Sequence, residues 1–178
     1  MRQAAVGALN LSAEVATLIR DADAGDGPAI AGIYNHYITN TTATFEEAPV
    51  TGDQMQTRMQ DVLASGKPWL VAALDGRVCG YAYASPWNTR SAYRYTVEVT
   101  LYIAAEMAGR GIGAGLYDTL FERLRSEGYR TVIAVITLPN PASIRIHEKF
   151  GLQPAGLLPR VGQKFGEWYD VGIWCGAL

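Results

Sequence analysis

The run Gly109-Arg110-Gly111-Ile112-Gly113-Ala114 restricts this chain more than any other feature. It lies between an alternating apolar stretch, Tyr93–Ile103, and a helical stripe made of Ile112, Leu116, Leu120 and Leu124. That order passes from a strand through a glycine turn into the N-terminus of a helix. Helix N-termini carry unpaired N–H groups and the positive end of the helix dipole. Glycines let the backbone curl until several N–H groups point at one anion. The run therefore reads as a cradle for phosphate or pyrophosphate. On glycine content alone, a plain flexible turn is the alternative. A nucleoside-triphosphate loop requires lysine after its last glycine, and here Ala114 and Gly115 follow. A dinucleotide fold asks for a further glycine where Leu116 stands, and for an acid near the end of the next strand, where Thr137 and Leu138 stand. The pyrophosphate of an acyl-CoA fits the run best.

The rest of the chain supplies the elements around this turn. A first strand is expected over Ala16–Asp21, after an N-terminal extension of residues 1–15. Asp26-Gly27-Pro28 opens a helix, with Asp26 as N-cap and the proline in the first turn. A loop, Thr39–Gly52, leads to a second helix marked by Met55, Met59, Val62 and Leu63. Trp69–Leu74 and Val78–Ala84 form a hairpin around Asp75-Gly76, a pair suited to positive φ. After a loop at Ser85–Ala92, Tyr93–Ile103 is a long strand, and the glycine-started helix stops near Gly128. Thr131–Thr137 is a β-branched strand, and Asn140-Pro141 starts a helix that Gly151 ends. Two last strands, Gly156–Val161 and Tyr169–Cys175, are joined by a loop at Gly162–Glu167. The pattern is mixed α+β, in one domain over residues 16–178.

Composition removes several function classes. The chain has 178 residues, 49% hydrophobic and 18% charged, the profile of a compact protein with its own core. Its formal charge is -2 and no Lys/Arg block stands out, which argues against nucleic acid as a partner. No apolar run approaches the roughly 20 residues of a membrane span, and residues 1–14 lack a secretory pattern, so the expected location is the cytoplasm. With two cysteines, Cys79 and Cys175, and two histidines, His36 and His147, a metal site is not expected. The cysteines read as buried free thiols.

Several stretches, taken in order, resemble the GCN5-related N-acetyltransferase superfamily. Within it they are similar to the phosphinothricin N-acetyltransferases, herbicide-resistance enzymes, and to their methionine sulfoximine-acetylating relatives. The stretches include Ile33-Tyr34-Asn35-His36-Tyr37-Ile38, Gly80-Tyr81-Ala82-Tyr83-Ala84-Ser85-Pro86-Trp87, Arg90-Ser91-Ala92-Tyr93 and Thr96-Val97-Glu98. They continue with Leu116-Tyr117, Val135-Ile136-Thr137-Leu138-Pro139-Asn140, Ser143, His147-Glu148 and Asp170-Val171-Gly172-Ile173-Trp174. The resemblance covers about Thr17 to Trp174. It implies a central, mixed, mostly antiparallel sheet flanked by helices, with acetyl-CoA wedged where two neighbouring strands splay. It further implies a homodimer and acetylation of the α-amino group of a small amino acid analogue. In two places the chain departs from the pattern. Ala108 stands where the superfamily loop usually starts with Gln or Arg, so the grip must come from the backbone. Asn88 stands where some relatives carry a basic residue beside the substrate.

The same residues can be weighed by their chemistry. Acetyl transfer needs a neutral amine, a polarised thioester carbonyl and a route for the thiolate to regain a proton. An α-amino group, with a pKa of about 8, is easier to deprotonate near neutral pH than a lysine at about 10.4. Glu98 lies in an apolar strand where an unpaired carboxylate is unfavourable to bury. Alternation alone fits a solvent-facing residue equally well. The resemblance makes Glu98 the general base, acting directly or through water, an effect worth about 10²–10⁴ in rate. His147 shares a helix face with Ser143. Pattern alone makes it a surface or satisfied residue, whereas the resemblance puts it near the amine and the thioester, to orient substrate, relay a proton or protonate the thiolate. Asn140 reads as a helix cap, and by resemblance it also reaches the pantetheine arm, with Ser143 beside it. Arg90 is either a solvated loop residue or, by resemblance, the group that holds the substrate's acid through its planar fork. Tyr93 and Phe45 are expected to line the substrate pocket, with Tyr102 beside them. Leu101, Tyr102 and Ile103 are expected to hold the acetyl and pantetheine part by backbone bonds. His36 reads as structural. With no Cys or Ser nucleophile beside a base, transfer is expected directly within a ternary complex. The rival readings are a family member acting on another amine, such as a polyamine or a protein N-terminus, and a non-catalytic acyl-CoA-binding regulator.

Overall fold

A computed structural model describes residues 17–178. The expected extension over residues 1–15, and Ala16 of the expected first strand, lie outside the described residues. The strands are β1 Leu18–Asp21, β2 Trp69–Leu74, β3 Arg77–Pro86, β4 Thr96–Ile103, β5 Thr131–Leu138, β6 Gln153–Lys164 and β7 Glu167–Ala177. The helices are α1 Gly27–Asn40, α2 Gly52–Ala64, α3 Ile112–Ser126 and α4 Pro141–Lys149. The seven strands form one sheet in the order β1-β2-β3-β4-β5-β7-β6. Every neighbouring pair is antiparallel except β4–β5, which is parallel. This is the mixed, mostly antiparallel sheet with flanking helices that the resemblance implies.

Strand alternation gives the sheet two cores. Ala82, Ala84, Val97, Val99, Val132, Ala134 and Ile136 point to one face, where Leu116, Tyr117, Leu120, Phe121 and Leu124 of α3 pack on them. Partly buried Ile144 and Ile146 bring α4 to the same side. Trp69, Val71 and Tyr81 point to the other face, covered by Ile30, Ile33, Tyr34 and Ile38 of α1 and by Met55 and Met59 of α2. Among the described residues no helix is long and apolar enough to cross a membrane. Cys79 is buried and Cys175 half-buried, both as free thiols.

The helix starts are built in different ways. Thr51 and Gln54 form a reciprocal capping box that fixes α2: Thr51 Oγ1 accepts from the Gln54 N–H at 3.1 Å, and Gln54 Oε1 accepts from the Thr51 N–H at 2.8 Å. Asn140 caps α4, its Oδ1 accepting from the Ser143 N–H at 3.1 Å. Asp26 departs from expectation. It occupies the N-cap position of α1 but makes no side-chain cap. Its buried carboxylate instead accepts two bonds from the Arg20 guanidinium, at 2.7 and 2.8 Å, and one from the Asp23 N–H at 2.8 Å. A paired guanidinium satisfies a buried carboxylate better than one distant N–H.

The two hairpins turn on the same geometry with different sequences. Asp75 and Gly76 adopt φ of 50° and 76°, the pair that the Asp-Gly signal predicts. Phe165 and Gly166 adopt φ of 53° and 82°, so the loop expected at Gly162–Glu167 is a two-residue turn and β6 and β7 run right up to it. A register shift between Leu158 and Gly162 absorbs the extra residues, after which Gly162 pairs with Tyr169. Gly162 is required there because the Phe45 ring lies where its Cβ would be. The strand expected from Tyr93 starts only at Thr96, because Ser91–Tyr93 forms a single 3-10 turn first.

Candidate active site

The parallel pairing of β4 with β5 lasts for three residue pairs, Thr96↔Thr131, Val97↔Val132 and Glu98↔Ile133. Both strands then continue, to Ile103 and Leu138, without pairing to each other. This splay opens a cleft of about 1000 Å³. Ala104 donates its N–H to Cys79 on the β3 side. Alternation therefore turns the backbone groups of Val99, Leu101 and Ile103 toward the gap and those of Tyr102 toward β3. The Tyr37 hydroxyl donates to the Ile103 carbonyl at 2.6 Å, which leaves the backbone of Val99 and Leu101 without a partner strand. Tyr102 lines the cleft through its ring instead, packed at 5.1 and 4.9 Å from the Tyr34 and Tyr37 ring centres.

One end of the cleft is made largely of backbone. Gly109 and Gly111 adopt φ of 78° and 81°, and α3 starts immediately after. The N–H groups from Gly109 to Gly113 donate to no backbone carbonyl; the first that do are those of Ala114 and Gly115, both to the Gly111 carbonyl. A side chain at Gly113 would press on Leu101 and Ile146 at 3.1 Å, so glycine lets helix, strand and α4 meet there. Gly109, Gly111, Ile112, Gly113 and Ala114 line the cleft, whereas Arg110 is exposed and lies outside its lining. Ala108 lines the cleft without a polar side chain, so the cradle is a set of N–H donors at a helix start, fit for a pyrophosphate.

Helix α4 closes the same end with Asn140, Ser143 and His147. His147 is buried, and both ring nitrogens are engaged. Nδ1 lies 2.8 Å from the Ser143 carbonyl, which can only accept, so Nδ1 carries the proton. Nε2 then accepts from the Tyr117 hydroxyl at 2.8 Å. Burial holds the His147 pKa below its usual value despite the Ser143 carbonyl, and burial also raises that of Tyr117, so the pair is neutral. Tyr117 enters the sequence reading only within the Leu116-Tyr117 stretch of the resemblance, with no role attached. Arg145 and Lys149, also lining this end, carry no motif that would single them out.

The other end is made of side chains. Glu98, Thr100 and Tyr102 share the sheet face that looks toward α1 and α2, across from Ser85, Tyr83 and Tyr81. Glu98 lines the cleft, half-buried and without a hydrogen-bond partner among the described residues. Burial raises its pKa above the ordinary carboxylate value. Facing it, Glu46 accepts from the Tyr34 hydroxyl at 3.0 Å and from two nitrogens of Arg58, at 2.6 and 3.1 Å. The Arg58 guanidinium holds Glu46 below the ordinary carboxylate range, while burial lifts Tyr34 to about 12. Phe45 lines this end between Thr44 and Glu46.

Two expected substrate residues are not part of this cleft. Arg90 and Tyr93 are exposed and lie outside its lining. Asn88 Oδ1 accepts from the Arg90 N–H at 3.0 Å and the Ser91 carbonyl takes the Arg94 guanidinium, which folds residues 88–94 into a self-contained turn beside β4. His36 is exposed, its ring edge-on to Tyr37.

Comparison with known proteins agrees with this geometry. The family described as "Acetyltransferase (GNAT) family" matches residues 30–152. The phosphinothricin N-acetyltransferase of Streptomyces viridochromogenes is 42% identical over 156 residues, 88% of this chain and 85% of that protein. The L-methionine sulfoximine/L-methionine sulfone acetyltransferase of Pseudomonas aeruginosa is 40% identical over 154 residues, 86% of this chain and 90% of its own. The crystal structure of a GNAT superfamily phosphinothricin acetyltransferase from Sinorhizobium meliloti in complex with acetyl-CoA superposes with a TM-score of 0.88 at 38% identity, covering 91% of this chain and 88% of that one. The chain belongs to the GNAT acetyltransferase family. It is an acetyl-CoA-dependent N-acetyltransferase, with acetyl-CoA as co-substrate.

Proposed function

We propose that residues 16–178 act as one domain that transfers acetyl from acetyl-CoA to the α-amino group of a small amino acid analogue of the phosphinothricin, methionine sulfoximine or methionine sulfone type. The observation that carries this is Glu98, an unpaired, half-buried carboxylate at the point where β4 and β5 part. Pyrophosphate and pantetheine occupy the backbone end, held by the N–H groups of the 109–114 loop, by the gap-facing backbone of Leu101, and by Asn140 and Ser143. The acceptor enters from the side-chain end, against Phe45 and Tyr102.

Glu98 takes a proton from the acceptor ammonium, directly or through one water. A carboxylate with a raised pKa is better matched to this task than an ordinary one. The neutral nitrogen attacks the thioester carbonyl, the C–S bond breaks, and the thiolate takes up one proton as the amide loses one. Transfer is direct in a ternary complex: neither Cys79 nor Cys175 lines the cleft, and the Ser143 hydroxyl, 3.3 Å from His147 Nδ1, faces a nitrogen that carries its proton and cannot act as its base. His147, neutral and tied at both nitrogens, orients the leaving-group side, so the base role falls to Glu98. Measuring coenzyme A release on phosphinothricin, methionine sulfone, free amino acids, polyamines and peptides tests the assignment. Turnover of the amino acid analogues above the rest is expected; preference for polyamines or peptides would overturn it.

The enzyme works in the cytoplasm as a homodimer, in a role akin to herbicide resistance. Support for the dimer comes from the edge strand β6, where Leu158 and Val161 are 44% and 54% exposed, and from the position of Arg90 and Tyr93, free to serve a site other than their own chain's. A solution mass of twice the chain, falling to one chain in Leu158→Asp, is expected; a monomeric wild type would remove the dimer.

A further inference from the structure

We propose that Lys164 is a positioning residue for the acceptor end, fixing Phe45 through the Thr44 carbonyl. The inference rests on the reading above that the acceptor lies against Phe45. The β6–β7 hairpin has the longest strands of the sheet, 12 and 11 residues. A bulge bends its strand, and past the shift between Leu158 and Gly162 the hairpin tip meets the loop that carries Phe45. Two contacts make that junction. Lys164 Nζ donates to the Thr44 carbonyl at 2.7 Å, across 120 positions of sequence. The Phe45 ring occupies the space that a side chain at Gly162 would fill. From its other side the loop is held by α1, where the Tyr34 and Thr44 hydroxyls share a bond at 2.7 Å, and Thr44 Oγ1 accepts from the Glu46 N–H at 3.2 Å. Thr44 is thus clamped between helix and hairpin, and Phe45 follows it directly.

Packing alone does not account for a lysine at this position. Its side chain is 1% exposed, and lysine is among the residues least often buried without a partner. Burial lowers its pKa, against the opposing charges of Glu47 and Glu46. Among the described residues those acids act on it at a distance and form no ion pair with it. Its nearest ring is that of Phe165, 5.1 Å from Nζ to the ring centre. An apolar side chain would fill the same space without the cost of desolvating a charge. What the ammonium adds is a directed, charge-assisted bond to a single carbonyl. Lys164 lies outside the cleft lining, whereas Thr44, Phe45 and Glu46 belong to it. Its influence on the acceptor therefore passes through the loop. Gly162 completes the arrangement, because only a residue without a side chain lets the ring rest on the β6 backbone.

The test uses methionine sulfone as acceptor on the full-length enzyme. Lys164→Met should raise its KM roughly 5- to 20-fold, with kcat reduced less than about threefold and the Kd for acetyl-CoA within about twofold of wild type. Lys164→Arg, which keeps the charge and the donor, should recover most of the KM. Phe45→Ala alone should raise KM, and adding Lys164→Met to it should change KM less than about twofold further, because the lysine then has no ring to place. Multiplying effects of the two substitutions, or an unchanged KM in Lys164→Met beside a raised one in Phe45→Ala, would overturn the assignment and leave the acceptor reading intact. So would a loss of acetyl-CoA affinity as large as the loss in KM, which marks a general role in folding. An unchanged KM in Phe45→Ala removes the acceptor from Phe45, and a wild type inactive on methionine sulfone removes the amino acid reading; either removes the role of Lys164 with it.

Discussion

The two ends of the cleft are made of different material. At the cofactor end, the donors are backbone N–H groups of a glycine turn and a helix start, and side chains mainly keep out of the way. At the acceptor end, the backbone is consumed in β3–β4 pairing, and everything that can meet a ligand is a side chain held by another side chain. A backbone site tolerates substitution at most of its positions but depends on a few glycines. A side-chain site depends on each member and can be retuned one residue at a time. One end suits a constant co-substrate, and the other a variable acceptor.

The largest effect should come from the carboxylate at the junction of the two ends. Glu98→Gln is expected to lower kcat about 10²- to 10⁴-fold with acetyl-CoA affinity within about twofold of wild type. Comparable losses in both would mean that the ends are not separable. At the cofactor end, Gly111→Ala places a β-carbon on a residue with φ of 81°. Straining or shifting that turn should weaken acetyl-CoA binding about tenfold, and calorimetry should find it with little change in KM for the acceptor. A comparable change in acceptor KM would join the ends again.

Tyr117→Phe removes the donor to His147 Nε2, which favoured the neutral ring. The folded pKa of His147 should then rise toward its unfolded value, and the acid limb of the kcat profile should move to higher pH, with kcat at pH 8 reduced less than about tenfold. An unmoved limb would leave Tyr117 as packing alone. The smallest effect concerns stability. A carboxyl whose folded pKa is raised favours the native state below its unfolded pKa and disfavours it as pH rises through the folded value. Glu98→Gln should therefore raise Tm by about 1–4 °C at pH 8 and not at pH 4. A lower Tm at pH 8 would show that Glu98 is satisfied rather than strained.

This division also explains what could be read in advance. The glycine run, the Asp75-Gly76 turn and the Asn140 cap announce themselves because the backbone conformations they serve admit few residue types. The 165–166 turn hid because phenylalanine took a positive φ that Asn or Asp would have advertised. Arg58, Glu46 and Tyr34 were illegible because their partnership spans two helices and a loop, and nothing within α2 distinguishes position 58 from any other polar position. Tyr117 was legible only as part of the Leu116-Tyr117 stretch, and the partner its hydroxyl meets is invisible to periodicity. Arg90 was legible as an arginine in a loop; that its own chain's cleft does not include it depends on where the loop packs, which no local pattern gives.

The early parting of β4 and β5 carries a thermodynamic consequence. Past Glu98, the strand β4 is an edge inside a sheet, with the backbone of Val99 and Leu101 facing a gap where a neighbour would normally run. A ligand with amides along its length can serve as that neighbour. Acetyl-CoA is then part of the folding equilibrium as well as a reactant. At a hundredfold excess over its Kd, it adds about 2.7 kcal/mol to the stability of the native state. The protein's resistance to unfolding in a cell thus follows the supply of its own co-substrate, and a chain starved of acetyl-CoA is the more fragile one.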